Sequence, residues 1–325
     1  MKTSNLRSRR RAKDFYTWTA PRPLIEFGGV RLRMPVFFHR ADAWHSVHLA
    51  AYDAVRDILP CDDLYPIRWF DGRAILAFGA FRYDHVSIDH ADGASQMLAP
   101  YGEIAVVVLV SRGRSRVKGL GMLQAALGSG GEFILDLPVT TAEARDAGRA
   151  VYGMPKFVAD MDFTEEPGHR TVELWEQDAH ILTMEVRTHG PLMADHKPTT
   201  LYSVHDGQLI ETVNRFQGYR QTGLGAGAGT LVLGEHPVAD RLRALGVATQ
   251  PLIVGTYLDA RIILPTGTPV GVAREYVGHL GKDRERGRLT VSYPGTSPID
   301  LSAVPPGLCR SVGPSPTGVE AATGV

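Results

Sequence analysis

Cysteine is nearly absent: the 325 residues include only Cys61 and Cys309, which lie far apart and in no metal-ligand spacing. A disulfide framework or a structural zinc site needs more cysteines than this. Long apolar runs are also missing, because the longest aliphatic stretch, residues 104–110, is about a third of a membrane span. We therefore expect a protein of a reducing compartment, by default the cytoplasm, without membrane association.

Net charge is absent as well, since 35 lysines and arginines balance 35 aspartates and glutamates. Such a chain has no overall field to attract nucleic acid or an anionic membrane. The exception is a basic cluster, Arg7 and Arg9 to Arg11, which no apolar segment follows. A short charged terminus is usually a solvated arm. We expect small-molecule partners, no nucleic acid, and a flexible basic arm over residues 1–21.

What the chain does contain is a series of short strand-like segments separated by turn residues, with few helices. This pattern is typical of barrels and sandwiches. It predicts a mainly β (α+β) fold: an antiparallel β-barrel or double sheet with a few covering helices. The candidate strands are residues 30–39, 67–83, 104–111, 133–137, 157–163, 171–176, 181–187, 208–216, 230–233 and 252–264.

Three segments are predicted to be helices. Residues 43–59 place apolar side chains on one helical face and stop at Pro60. Residues 140–151 begin with Thr140 and Glu143 at the spacing of a capping box. Residues 237–245 start with Pro237 and are followed by Gly246, the asymmetry expected of helix ends.

The composition divides the chain into three parts. Residues 22–270 hold the periodic segments and are predicted to form one domain. Within them, the glycine- and leucine-rich residues 112–132 predict a hairpin or lid between two strands. Residues 271–325 lose periodicity, and from Gly295 onward proline, glycine and serine dominate, which predicts a partly disordered C-terminal extension.

Two site motifs are considered and set aside. The glycine run from Gly223 to Gly229 is followed by a strand, whereas a dinucleotide loop must open a helix, so a connector or pocket-lining loop is favoured. His39, His45 and His48 lack the helical spacing and carboxylate of a hydrolytic zinc site. We therefore predict no metal and no organic cofactor, and no serine or thiol elbow is present.

The strongest signal lies in two ordered segments. The first is Tyr101-Gly102-Glu103, and the second is Gly148-Arg149-Ala150-Val151-Tyr152-Gly153-Met154-Pro155-Lys156. Here the sequence resembles the acetoacetate decarboxylase family, which pairs a Tyr-x-Glu with a later Gly-Arg and an aromatic-Pro-Lys-Lys whose first lysine forms the imine. The segment 252–265 also looks like the family's closing strand. The resemblance covers residues 23–265 and implies the family's β-rich fold.

The chemistry of such a lysine is coherent with its sequence neighbours. An amine is nucleophilic near neutral pH when burial or a nearby cation lowers its pKa, and acetoacetate decarboxylase is itself the standard example of this principle. Lys156 is flanked by Met154, Pro155, Phe157 and Val158, with no carboxylate adjacent in sequence. The resemblance implies Lys156 as the imine-forming catalytic residue and Glu103 as the second catalytic residue, for proton transfer.

The sequence departs from the family where Phe157 replaces the usual second lysine and Ala150 replaces a glutamate. In an extended segment adjacent side chains point to opposite faces, so a lysine at 157 would face away from Lys156. The departure leaves imine formation intact but leaves the reaction open. The leading hypothesis is decarboxylation of an acetoacetate-like β-keto acid, and the alternatives are aldol condensation with dehydration of a 2-oxo acid, or an apolar-ligand-binding protein.

Three further residues are predicted to bind the substrate. The family takes a carboxylate-binding arginine from its first strand, where Arg31 is slightly preferred over Arg33 and Arg40. Tyr101 accompanies Glu103 in its motif, and Tyr152 lies four residues before the lysine. The resemblance also implies a homo-oligomer that acts on a small keto acid.

Overall fold

This computed structural model describes residues 15–113, 130–225, 227–282 and 284–293, and the backbone of 299–300. Within them the chain forms eighteen strands and three helices. The strands are β1 (Leu24–Phe27), β2 (Val30–Ala50), β3 (Leu64–Pro66), β4 (Ala74–His90), β5 (Ser95–Leu98), β6 (Tyr101–Arg112), β7 (Gly131–Asp136), β8 (Asp160–Glu166), β9 (His169–Glu176), β10 (Ala179–Arg187), β11 (His189–Asp195), β12 (Thr199–His205), β13 (Gln208–Leu224), β14 (Gly229–Leu233), β15 (Ile253–Leu264), β16 (Thr268–Val272), β17 (Leu289–Ser292) and β18 (Ile299–Asp300). The helices are α1 (Tyr52–Ile58), α2 (Ala142–Tyr152) and α3 (Pro237–Ala244).

The first sheet closes on itself through seven of its strands. They follow the order β2, β15, β13, β12, β7, β6 and β4, and β4 pairs again with β2. Neighbours in this ring are antiparallel except β7 and β12, which are parallel. The second sheet follows the order β14, β10, β9, β8, β17 and β18. The predicted mainly β, α+β class is therefore confirmed.

The two faces of the closed sheet bury different residues, as the alternation of a strand requires. On β6, Ile104, Val106 and Val108 belong to one large core with residues of the second sheet such as Met161 and Leu174. The face that carries Ile104, Val106 and Val108 is therefore the outer face of the ring, because the six-stranded second sheet packs against it. Tyr101, Glu103 and Val107 alternate with these residues and face the interior.

The helix predicted over residues 43–59 is wrong for its first half. The structure continues β2 to Ala50, and only Tyr52–Ile58 is helical. From Ala43 onward β2 pairs with β4 on one side and β15 on the other. The hydrogen bonds to strands on both sides outweigh the helical spacing of the apolar residues, because the preference of a segment for the strand conformation depends on its neighbours in the sheet.

Two other strand boundaries also differ from the prediction. The strand predicted over 67–83 is split: β4 starts at Ala74, after a turn in which Gly72 has a φ of 94°. Lys156 was expected at the start of a strand over 157–163, but β8 begins only at Asp160. The lysine therefore lies in an irregular segment between α2 and β8.

The helix ends were predicted closely, with one change of capping residue. Thr141 caps α2, because its Oγ1 accepts a hydrogen bond from Ala144 N at 3.3 Å. The predicted cap, Thr140, instead accepts from Gly102 N at 3.0 Å. Gly223 and Gly229 lie in β13 and β14, which agrees with a connector between strands rather than a nucleotide loop.

Both ends of the described chain pack against the two sheets. Near the start, Tyr16 donates to Phe38 O at 2.9 Å, and near the end β17 pairs in parallel with β8. Residues 114–129, most of the predicted lid, and 301–325 lie outside the described residues. No helix in the described part of the chain is long and apolar enough to cross a membrane.

Candidate active site

Lys156 and Glu103 meet inside the closed sheet. The Nζ of Lys156 lies 2.7 Å from Glu103 Oε2, and both residues are buried, with 6% and 9% of their surfaces exposed. The lysine's sequence neighbours are apolar, yet β6 places a carboxylate beside its amine. A buried ammonium and carboxylate at hydrogen-bonding distance can exchange a proton directly.

Two neighbouring strands hold Glu103 in place. On β6 Glu103 pairs with Phe81 of β4, and Tyr101 pairs with Tyr83. The Tyr83 hydroxyl donates to Glu103 Oε1 at 3.1 Å, which leaves Oε2 directed at Lys156. Tyr83 was missed by the sequence analysis because this contact depends on the register between two strands.

The lysine reaches Glu103 because the helix beside it lacks a side chain at one position. A Cβ added to Gly148 would lie 2.5 Å from Lys156 Cδ and 2.6 Å from its Cε. Gly153 then ends α2 with a φ of 64°, a conformation that glycine adopts without strain. In this motif, Gly148 leaves room for the lysine side chain, and Gly153 forms the turn before it.

The predicted tyrosines lie close to the pair but differ in their contacts. The ring centroid of Tyr101 is 6.0 Å from Lys156 Nζ. Burial raises the pKa of Tyr83 and Tyr101 well above the usual tyrosine range, and the carboxylate of Glu103 adds to both shifts. Tyr152 is buried, and its hydroxyl has no hydrogen-bond partner among the described residues. Burial also raises the pKa of Tyr152 above the usual range, so all three tyrosines stay neutral.

The predicted arginine is not brought to the amine. Arg31 is exposed at the start of β2, paired with Glu26 of β1, and makes no described contact with Lys156 or Glu103. Arg33 donates to Ala91 O at 3.1 Å, and Arg40 lies 3.6 Å from Asp84. None of the three first-strand arginines contacts the pair.

A second carboxyl group faces the interior farther along the sheet. Glu132 of β7 pairs with Leu109 of β6, six positions beyond Glu103, or about 20 Å along the strand. Burial without a compensating charge raises the pKa of Glu132 to about 7. The interior thus holds two acids in different environments: Glu103 with a cation and Glu132 without one.

One group among the described residues has the composition of a metal site. The ligand atoms of Glu176, His236 and His279 lie within 4.8 Å of one another. However, His236 Nδ1 accepts the amide proton of Val238 at 3.2 Å, so the neutral ring carries its proton on Nε2 and donates it to Glu176. A metal at Nε2 would displace that proton, and the arrangement therefore fits a hydrogen-bonded cluster better.

The pKa shifts agree with this assignment. Burial lowers the pKa of His236, which keeps the ring neutral. Burial alone would raise the pKa of Glu176, but hydrogen bonds from His236 and His279 outweigh it and lower the pKa. The sequence analysis missed the cluster because its members come from three distant segments.

An open hollow of about 720 Å³ lies beside β13. It is lined by Phe15, His196, Pro198, Val213, Arg215, Phe216 and Gln217. Phe216 of this lining packs against the cluster that contains Tyr83 and Tyr101, but none of the lining residues forms a described hydrogen bond or ion pair with Lys156 or Glu103. Among the described residues, the Lys156–Glu103 pair is therefore the candidate site.

Comparisons with known proteins identify the family of the chain. The family model described as acetoacetate decarboxylase (ADC) matches residues 30–271. The crystal structure of acetoacetate decarboxylase from Legionella pneumophila is 19% identical, with a TM-score of 0.56, and the match covers 80% of this chain and 94% of that one. Among curated proteins, none matches the chain at a significant level.

Another structure with this fold is the enduracididine biosynthesis enzyme MppR complexed with pyruvate. It is 14% identical, with a TM-score of 0.50, over 78% of this chain and 92% of that chain. At such identities these structures show a common fold, while the family match spans most of the sequence. The chain belongs to the acetoacetate decarboxylase family.

Proposed function

We propose that this protein is a lyase that forms an imine between Lys156 and a small keto acid, and that it decarboxylates a β-keto acid. The observation that supports this most is the buried 2.7 Å contact between Lys156 Nζ and Glu103 Oε2. It supports the proposal because an amine that is to act as a nucleophile needs a proton acceptor beside it.

The reaction can be written with these two groups. Lys156 gives a proton to Glu103, and its neutral amine attacks the keto carbon; loss of water then yields a protonated imine. The bond to the carboxylate breaks, carbon dioxide leaves, and its electron pair moves into the iminium to form an enamine. Because the loss of water uses the proton that Glu103 received, Glu103 takes a second proton from solvent and gives it to the enamine carbon. Hydrolysis of the resulting iminium then releases the ketone and restores the lysine.

Tyr83 has a supporting part in this scheme. Its hydroxyl holds Glu103 Oε1 at 3.1 Å, so Oε2 stays directed at the reacting nitrogen through both proton transfers. Because burial raises its pKa well above the usual range, Tyr83 remains a donor throughout. Tyr101, whose ring centroid is 6.0 Å from Nζ, would line the substrate's path.

A second candidate is aldol condensation with dehydration of a 2-oxo acid. One observation favours it: the position of the family's second lysine holds Phe157, which is fully buried and packs at a centroid distance of 4.7 Å on His279. The chain therefore lacks the second lysine of the family's decarboxylases. A structural neighbour, MppR, is described in complex with pyruvate.

Borohydride trapping distinguishes these functions. We expect incubation with acetoacetate or pyruvate, then borohydride, to add one reduced adduct, mapped to Lys156 and absent from Lys156→Arg. Lys197→Arg, which alters an exposed lysine, is the matched control and should trap as the wild type does. Carbon dioxide release identifies decarboxylation, and an unsaturated oxo acid identifies condensation.

The opposite result would remove the enzymatic proposal. If no adduct forms with either acid or with longer β-keto acids, while Lys156→Arg keeps the wild-type fold, the protein is better explained as one that binds an apolar ligand. The homo-oligomer implied by the family stays a prediction, which sedimentation would test.

A further inference from the structure

A segment beyond the family match crosses over the lysine. We call residues 273–282 and 284–288 the strap; the matched region ends at residue 271. The strap lies between β16 and β17, and its described residues form no helix or strand of their own. Its backbone passes the three residues Pro155, Lys156 and Phe157, which themselves lie outside any strand.

Two glycines of the strap make this close crossing possible. A Cβ on Gly278 would lie 2.7 Å from Pro155 Cβ, and a Cβ on Gly281 would lie 2.7 Å from Phe157 Cβ. Both glycines have positive φ, 61° and 77°. The strap therefore touches the residues on each side of Lys156, at positions where a larger side chain would push it away.

Arg149 joins the strap to the lysine directly. Its Nε donates to Lys156 O at 2.6 Å, and its Nη2 donates to Leu280 O at 2.8 Å. A guanidinium can hold two carbonyls at a fixed separation because its donors are coplanar. The backbone of the lysine is thereby tied to both α2 and the strap.

Buried carboxylates fix the strap at the same place. Glu176 Oε1 accepts from Lys282 N at 2.8 Å, and its Oε2 accepts from His279 Nε2 at 3.0 Å. Asp136 Oδ1 accepts from His279 N at 3.0 Å. Glu176 and Asp136 are 1% and 0% exposed, so these hydrogen bonds are shielded from competing water.

We propose that the strap is a positioning element for Lys156, with Arg149 as the positioning residue that transmits its position to the lysine. The inference rests on the proposed imine chemistry of Lys156. The Nζ must stay at 2.7 Å from Glu103 and also reach the keto carbon, and a misplacement of about 1 Å can cost about a hundredfold in rate.

The test compares variants of the full chain. Arg149→Lys keeps the charge but loses the planar fork, and Gly278→Ala lifts the strap from Pro155. Two controls match them: Val277→Ala alters the exposed neighbour of Gly278, and Arg243→Lys alters an arginine of α3 that donates to two backbone carbonyls outside the strap, Leu233 O and Gly234 O.

We expect Arg149→Lys and Gly278→Ala each to lower the maximal rate of imine trapping ten- to a hundredfold, with the half-saturating keto acid concentration within about twofold. The controls should stay within threefold of the wild type. Thermal unfolding tests whether each variant is folded. If a strap variant does not fold, Gly281→Ala, at the second close contact of the strap, takes its place. Wild-type trapping rates in the folded strap variants would overturn the proposal.

A second readout separates this inference from the proposed function. Reductive methylation with formaldehyde and cyanoborohydride needs the same amine but no keto acid, and peptide mapping reports Lys156 and exposed Lys197 together. We expect the ratio of methylation at Lys156 to methylation at Lys197 to differ at least threefold between the strap variants and the wild type. If the wild type traps no keto acid, the proposed function fails. The methylation ratio then tests the role of the strap by itself.

Discussion

At the scale of residues, the geometry of the lysine depends on a missing side chain as much as on its partners. Gly148 leaves the space through which the aliphatic part of Lys156 extends, and Glu103 then receives the amine. A helix normally gains from alanine in place of glycine, by about 1 kcal/mol. At position 148, helix stability therefore favours alanine, whereas the placement of the lysine side chain requires glycine.

Gly148→Ala separates these two effects. We expect imine trapping at Lys156 to fall at least tenfold, because the new Cβ occupies the place of the lysine's Cδ and Cε. The free energy of unfolding should change by less than about 2 kcal/mol, since gained propensity offsets part of the clash. Trapping kinetics and urea unfolding measure the two quantities.

The matched control reverses the substitution on the same helix. Ala150→Gly, at an exposed position, should cost about 1 kcal/mol of stability and leave trapping unchanged. If Gly148→Ala traps a keto acid at the wild-type rate, then the lysine does not need the space that this glycine leaves.

Local motifs predicted Lys156 and Glu103 as site residues, and the structure brings the two side chains together. Gly148, Arg149 and Lys156 are close in sequence, and their contacts form within one helix and the turn after it. The contact of Tyr83 with Glu103 depends on strand register. The strap comes from more than a hundred residues later, and no local pattern indicates where it passes.

At the scale of elements, the two ends of β2 show the limits of periodicity. Its first part was predicted as a strand, but residues 43–50 fit a helical spacing equally well. Pairing with β4 and β15 decides between the two. By contrast α2 and α3 were predicted within two residues of their ends, because capping residues and turn glycines act locally.

The cap of α2 can be tested by substitution. Thr141→Ala removes the acceptor for Ala144 N and should lower the free energy of unfolding by about 1 kcal/mol. Thr141→Ser keeps a hydroxyl and should stay close to the wild type. Denaturant unfolding of the three proteins provides the measurement, and equal stabilities of the alanine and serine variants would count against this cap.

At the scale of the whole molecule, the closed sheet and the second sheet meet around a buried histidine. His48 of β2 lies 2.7 Å from Ala248 O and 2.8 Å from Ser46 Oγ, which in turn lies 3.0 Å from Met184 Sδ of β10. Burial lowers the pKa of His48 to about 4. The junction between the sheets therefore contains a neutral imidazole.

This junction should make the protein sensitive to acid. Between about pH 6.5 and 4, the unfolded chain binds a proton at His48 that the folded chain rejects, so the free energy of unfolding falls as pH falls, by up to about 3 kcal/mol. In His48→Gln this contribution is absent. We expect the stability gap between wild type and variant to narrow from pH 7.5 to pH 4.5 in urea titrations.

The exposed His189 offers the control for that titration. His189→Gln should follow the wild-type curve at every pH, because its side chain is open to solvent on β11. A gap between wild type and His48→Gln that stays constant with pH would show that His48 binds its proton equally well in both states.

The order of segments along the chain gives the strap a consequence for synthesis. A ribosome completes the entire family region by residue 271 before it adds Gly278 and Gly281. A nascent chain at that stage already holds Lys156 and Glu103, while Pro155 and Phe157 are still uncovered on one side. The amine of Lys156 thus acquires its full surroundings only when translation has passed the strap.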